Sequence, residues 1–156
     1  MNISLLKAAW EKAHIRAAQP ASRAEIRAFE RKYSVQLPKD MFDYFEQVNG
    51  MLDGEADDDL FAFYSLDQLE TVADKFKDWH GVPKYSDALT TLDKPETYFV
   101  FSDFFINLEA FAIRLDDSSI FNQHVYAICG GIHQVVATSF SAFIDLYLHD
   151  SDTLII

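Results

Sequence analysis

Cysteine is nearly missing from this chain of 156 residues, Cys129 being the single one. One thiol closes no internal disulfide and supplies no multi-cysteine zinc site, so sulfur-based staples are excluded as the basis of the fold. The usage fits a reducing compartment. Glycine is scarce as well, five residues in all, too sparse for a nucleotide-binding fingerprint. No stretch approaches the roughly 18 to 20 uninterrupted apolar residues of a membrane helix. The start, MNISLLKAAWEK, lacks the basic region of a secretory signal, and Lys7 and Glu11 interrupt its only apolar run. The expectation is a soluble, cytoplasmic protein. Cations are the last scarcity, and it is local. Residues 1–50 carry 8 Lys/Arg and 6 Asp/Glu, a net +2; residues 51–156 carry 5 and 19, a net −14. Such a field repels nucleic acid, phosphorylated ligands and anionic membranes, and attracts basic partners.

What the chain has in abundance is apolar and aromatic surface: 49% hydrophobic residues, with 14 Phe, 7 Tyr and 2 Trp. That excludes a disordered chain and suits one domain, residues 1–156, around one core. Ile3, Leu6, Trp10, Ala13 and Ala17 recur at helical spacing and predict a helix over 3–17. Ser22 to Glu25 (SRAE) is a capping box that opens a second helix with Ile26, Phe29 and Tyr33 on its apolar face. LPKDMFDYFEQVNG is a third helix, with Pro38 at its first position and Asn49-Gly50 as a left-handed stop. After the acidic stretch MLDGEADDDL, FAFYS is a short strand, and SLDQ is a second capping box that predicts a helix to about Trp79. Residues 80–97 show no clear periodicity. From Tyr98 the runs YFVFSDF, LEAFAIRL, HVYAIC and HQVVAT are strands, and SFSAFIDLYLHD is a closing helix. The apolar tail TLII must dock on the body or sit exposed. The class is α+β: N-terminal helices packed with a mostly antiparallel sheet of about four to six short strands, closed by a C-terminal helix.

Chemistry is hard to find. Cys129 and His133 flank Gly130-Gly131 in CGGIH, but cations that would lower the thiol pKa are absent nearby, and no third residue orients the histidine. Gly-Gly between alternating apolar runs is a hairpin turn; a phosphate cradle would lead into a helix and carry a lysine. His14, His80, His124, His133 and His149 show no metal-ligand spacing. The carboxylates Asp53, Glu55, Asp57, Asp58 and Asp59 lack the order of a calcium loop, and Asp116-Asp117 before Ser118-Ser119 have the composition of a turn. No catalytic residue, cofactor or metal site is expected.

The order of these signals resembles the SUKH superfamily, whose namesakes are yeast cell-wall-synthesis regulators and which includes many bacterial toxin-immunity proteins. The resemblance runs through AEIRAFERKYSVQLPKDMFDYFEQVNG, the strand-to-helix step FAFYSLDQL, and GGIHQVVATSFSAFIDLYL, together most of residues 21–149. It departs at SDFFINLEAF, where the family carries a glycine-rich turn, so strand boundaries between Phe104 and Leu108 stay open. Pro38, Asn49, Gly50, Gly130, Gly131, Ser139 and Phe140 match as architectural positions. The resemblance implies a non-catalytic immunity protein, a monomer or weak homodimer, that binds and neutralises a cognate toxin by occlusion. The alternative is a regulatory adaptor, although the eukaryotic adaptors carry long flanking disordered segments. The acidity of residues 51–156 agrees independently with a basic partner such as a nuclease, whose phosphate-gripping cations an acidic surface can occupy. The partner-binding candidates are Asp53, Glu55, Asp57, Asp58, Asp59, Asp116 and Asp117.

Overall fold

The computed structural model describes residues 2–81, 83–116 and 123–156. Helix α1, Ile3–Lys12, is capped by Asn2, whose Oδ1 accepts the Leu5 N–H at 3.0 Å, and it buries Leu6 and Trp10. It ends earlier than its periodicity predicts. His14 turns left-handed (φ 58°). The chain beyond it runs alongside 50–52, with Ala18 N–H on Gly50 O at 3.0 Å and Leu52 N–H on Arg16 O at 2.8 Å. Ala13 and Ala17 therefore lie outside the helix, because pairing with a distant segment outweighs local propensity. Helix α2, Arg23–Tyr33, starts at the expected capping box: Ser22 N–H donates to Glu25 Oε2 at 2.8 Å and Glu25 N–H to Ser22 Oγ at 3.2 Å.

Helix α3, Lys39–Gln47, has Pro38 at its cap rather than inside its first turn. Asn49 (φ 61°) and Gly50 (φ 76°) form the expected left-handed stop. Only glycine fits the second position, since a Cβ there would lie 2.5 Å from the Tyr64 carbonyl carbon. Asn49 contributes more than its backbone. Its amide donates to Gln19 O at 2.6 Å and its Oδ1 accepts Leu66 N–H at 2.8 Å, tying three segments together.

Six antiparallel strands follow: β1 Phe61–Phe63, β2 Glu70–Thr71, β3 Tyr98–Phe104, β4 Glu109–Arg114, β5 Val125–Cys129 and β6 Ile132–Ala137. The order is β1-β3-β4-β5-β6, with β2 pairing β3 farther along the edge that β1 occupies. Helix α6, Phe140–His149, closes the fold. Ser139 Oγ accepts Ala142 N–H at 3.0 Å, and Phe140, Phe143 and Ile144 are fully buried. Asp40 joins α3 to α6, its Oδ2 accepting Ser141 N–H at 2.8 Å.

Two cores lie on the two faces of the sheet. Helices α1, α2, α3 and α6 cover one face through Phe63, Phe99, Phe111 and Val125. The other face, with Val100, Ala110, Ala112 and Ile128, is covered by the short helix α4, Val72–Lys75, and the Tyr85–Leu92 region that contains α5, Ala88–Thr91. This explains why the helix expected to run to Trp79 is broken. Its apolar residues do not share a destination: Leu66 and Leu69 enter the first core, Val72 and Phe76 the second. The chain has to pass the sheet edge between them. The capping box at Ser65 opens only a single turn, Leu66–Gln68, then β2 pairs with β3, and Thr71 caps α4.

The tail docks. Leu154 is fully buried, and Ile156 N–H donates to Glu109 Oε2 at 3.1 Å. Among the described residues no helix is long and apolar enough to cross a membrane.

Candidate protein-binding site

The loop between α3 and β1 holds the predicted acidic cluster, and the structure assigns its members unlike roles. Asp57 points inward. Its Oδ1 accepts Phe61 N–H at 2.8 Å and its Oδ2 the Tyr147 hydroxyl at 2.6 Å, while Tyr147 in turn accepts from Trp10 Nε1 at 3.1 Å. Burial pushes its carboxyl above the ordinary value, with the Tyr147 hydrogen bond opposing. Asp57 is thus a tie between loop, α6 and α1. Glu55 is ion-paired with Arg16, whose Nε lies 2.8 Å from Oε1. Asp53, Asp58 and Asp59 are exposed, with Asp53 also accepting Gln68 Nε2 at 3.0 Å.

Beside this loop lies a groove of about 520 Å³. Its walls carry Asp53, Glu55, Asp67, Glu70 and Asp103, with Lys75 as the one cation. Asp67, Glu70 and Asp103 were missed by the sequence reading. Asp103 reaches the groove through an irregularity in β3. The β3–β4 register shifts between Val100 and Ser102, and the extra residue reverses the alternation, so Asp103 lies opposite Ala110 on the face of Val100. It is 6% exposed. Its Oδ2 accepts the Tyr64 hydroxyl at 2.5 Å and its Oδ1 accepts Asn107 N–H at 3.1 Å. Burial raises its carboxyl pKa, with those hydrogen bonds and Lys75 opposing. The Lys75 ammonium sits 4.1 Å from the centre of the Tyr64 ring and 6.0 Å from that of Trp79. Burial lowers its pKa against the pull of Glu70 and Asp103. The groove already seats one cation on an aromatic face among carboxylates.

The rim of the groove is the β3–β4 connection, which supplies Ile106 and Asn107 to it. Phe105 (φ 52°), Ile106 (54°) and Asn107 (66°) are successive left-handed residues, and Leu60 (70°) is a fourth, its carbonyl accepting Phe105 N–H at 3.0 Å. Elsewhere among the described residues the non-glycine left-handed positions are His14, Ser34, Asn49 and Lys94, all polar. For a large apolar residue this conformation costs about 1–2 kcal/mol. The same residues are exposed: Phe105 53%, Ile106 83%, Leu108 37%.

The remaining predicted residues do not join this site. Asp116 pairs with Arg114, Nε to Oδ2 at 2.6 Å, at the far end of β4 from Glu109. The length of β4 places it on the order of 20 Å from the acidic groove. Asp117 lies outside the described residues. Gly130-Gly131 is the two-residue turn expected, with Cys129 opposite Ile132 and Ile128 opposite His133. Residues opposite each other share a face and neighbours alternate, so Cys129 and His133 point to opposite faces of the sheet. Burial pushes the Cys129 thiol up, and the charge of Glu109 adds to the effect. The arrangement offers no activated nucleophile. Among the described residues no three of His, Cys, Asp and Glu are grouped to hold a metal ion.

No curated protein matches this chain. A family model does, over residues 20–146, a span that takes in α2, α3, the whole sheet and most of α6. The chain belongs to the SMI1 / KNR4 family (SUKH-1), a family whose immunity and regulatory proteins act through protein–protein interaction.

Proposed function

We propose that this protein is an immunity protein that binds a basic toxin, such as a nuclease, and neutralises it by occlusion without catalysing any reaction. The observation that carries the reading is the groove with five carboxylates and one lysine beside an exposed apolar hairpin tip. Opposite charge at its rim steers a cationic protein into contact and fixes its orientation. Apolar surface rimmed by polar residues is characteristic of protein contact sites. A nuclease presents lysine and arginine to grip phosphate, and a carboxylate-lined groove competes with nucleic acid for those side chains. The sites assigned to the partner are Asp53, Asp58 and Asp59, with Glu55 held by Arg16, joined by Asp67, Glu70 and Asp103. The cytoplasm, where such a toxin would act on the producing cell, is the compartment that fits.

The test is co-expression with the product of the adjacent upstream gene. That product alone should arrest growth, and this chain should restore growth and co-purify with it. A harmless neighbour that forms no complex would remove the toxin from the account.

A further inference from the structure

Two large apolar side chains, Phe105 and Ile106, stand in water on a backbone conformation that disfavours them, next to carboxylates on both sides. Folding explains neither feature. Scattered exposed apolar residues are ordinary, but here Phe105, Ile106 and Leu108 are contiguous. The strained turn is held in place: Asp103 Oδ1 anchors the Asn107 N–H, and Leu60 O anchors the Phe105 N–H. Strain that the surrounding structure maintains at an exposed position points to a role outside folding.

We propose that this tip is the apolar plug of the interface, and that its counterpart is an apolar socket ringed by lysine or arginine side chains on a basic protein. The charges around the tip select that occupant. Asp58 and Asp59 adjoin it through Leu60, and Asp53, Glu55, Glu70 and Asp103 line the groove that Ile106 borders. A second copy of this chain, with its net charge of −12, would meet like charge at that rim. The plug supplies the desolvated centre that interface energetics require, and the carboxylates form its ring. This inference rests on the protein-binding reading above and specifies the chemistry of the partner's surface.

The test uses the full chain and the double variant Phe105→Asn with Ile106→Gly, residues that accept left-handed backbone. A random peptide library displayed on phage is panned on the native chain. Expected are peptides that place Leu, Met, Phe or Trp beside two or more Lys or Arg and bind the variant at least about 10-fold more weakly. The variant should also melt higher, by about 2–4 °C, since only strain and no required packing is lost. Peptides without cations, peptides that bind both proteins alike, a panning that enriches nothing, or a variant that melts lower would each overturn the plug. The outcome is separable from the toxin reading. An inert neighbouring gene product removes the toxin while tip-dependent basic peptides still establish the surface, and a toxic neighbour neutralised equally by the variant removes the plug alone.

Discussion

The sheet contains two tight hairpin connections, and they treat the turn problem in opposite ways. Between β5 and β6 the chain uses Gly130-Gly131, with Gly130 at φ 58°, the residue type and sign that a two-residue turn asks for. Between β3 and β4 it uses Phe105-Ile106-Asn107-Leu108, with bulky residues where glycine belongs and two of them in solvent. The first turn is solved for folding. The second departs from the folding optimum beside the acidic groove, and sites of binding are where such departures concentrate. The contrast separates architecture from function within one sheet.

Substitutions at the glycine positions should be costly and those at the tip should not. The largest effect belongs to Gly50, which stops α3. A Cβ 2.5 Å from the Tyr64 backbone, added to a positive φ, makes Gly50→Ala cost at least about 3 kcal/mol in urea unfolding. The foot of the tip offers the next. Glu109 pairs with Phe104 across the base of the hairpin, is 1% exposed and has one oxygen without a partner. Burial raises its pKa to about 7, with the Ile156 N–H opposing. Between its ordinary value and 7 the folded protein keeps a proton that the unfolded chain releases. Stability therefore falls as pH rises from 5 to 8, by about 2–3 kcal/mol. Denaturant midpoints against pH should show that slope in the native chain and a flatter one in Glu109→Gln. At the other hairpin, Gly130→Ala meets a left-handed φ and the Pro83 Cβ at 3.0 Å, and about 1–2 kcal/mol should be lost. The smallest effect has the opposite sign: Phe105→Asn with Ile106→Gly should gain about 1 kcal/mol. A loss there would erase the difference between the two turns.

Much of this architecture is legible in the sequence because its signals are local. The capping box at Ser22, the stop at Asn49-Gly50, the Gly-Gly turn and the Ser139 cap each satisfy a backbone requirement within a few residues. The expected helix to Trp79 fails for a non-local reason, since one apolar stripe feeds two cores on opposite faces of the sheet. The site is legible only in part. Asp53, Asp58 and Asp59 stand out by composition, but Asp57 and Glu55 are drawn into hydrogen bonds with residues 90 and 39 positions away. Asp103 enters the groove through a register shift that no periodicity reveals. The tip left one readable trace: SDFFINLEAF must reverse direction between two strands, yet it contains no glycine or proline. The very place where the chain departs from the glycine-rich turn of its relatives is the place where the apolar rim forms.

The central claim is that the partner is gripped at the acidic groove and its tip and not at the distant Asp116 end of β4 or around Cys129. The most direct measurement compares complex formation with the neighbouring gene product for the native chain, Phe105→Asn/Ile106→Gly, Asp116→Asn and Cys129→Ser, by association and dissociation kinetics across a salt series. The account predicts that association slows as salt rises, that the tip variant dissociates at least about 10-fold faster, and that the other two behave as the native chain. Loss of the complex in Asp116→Asn or Cys129→Ser, with the tip variant unaffected, would contradict it.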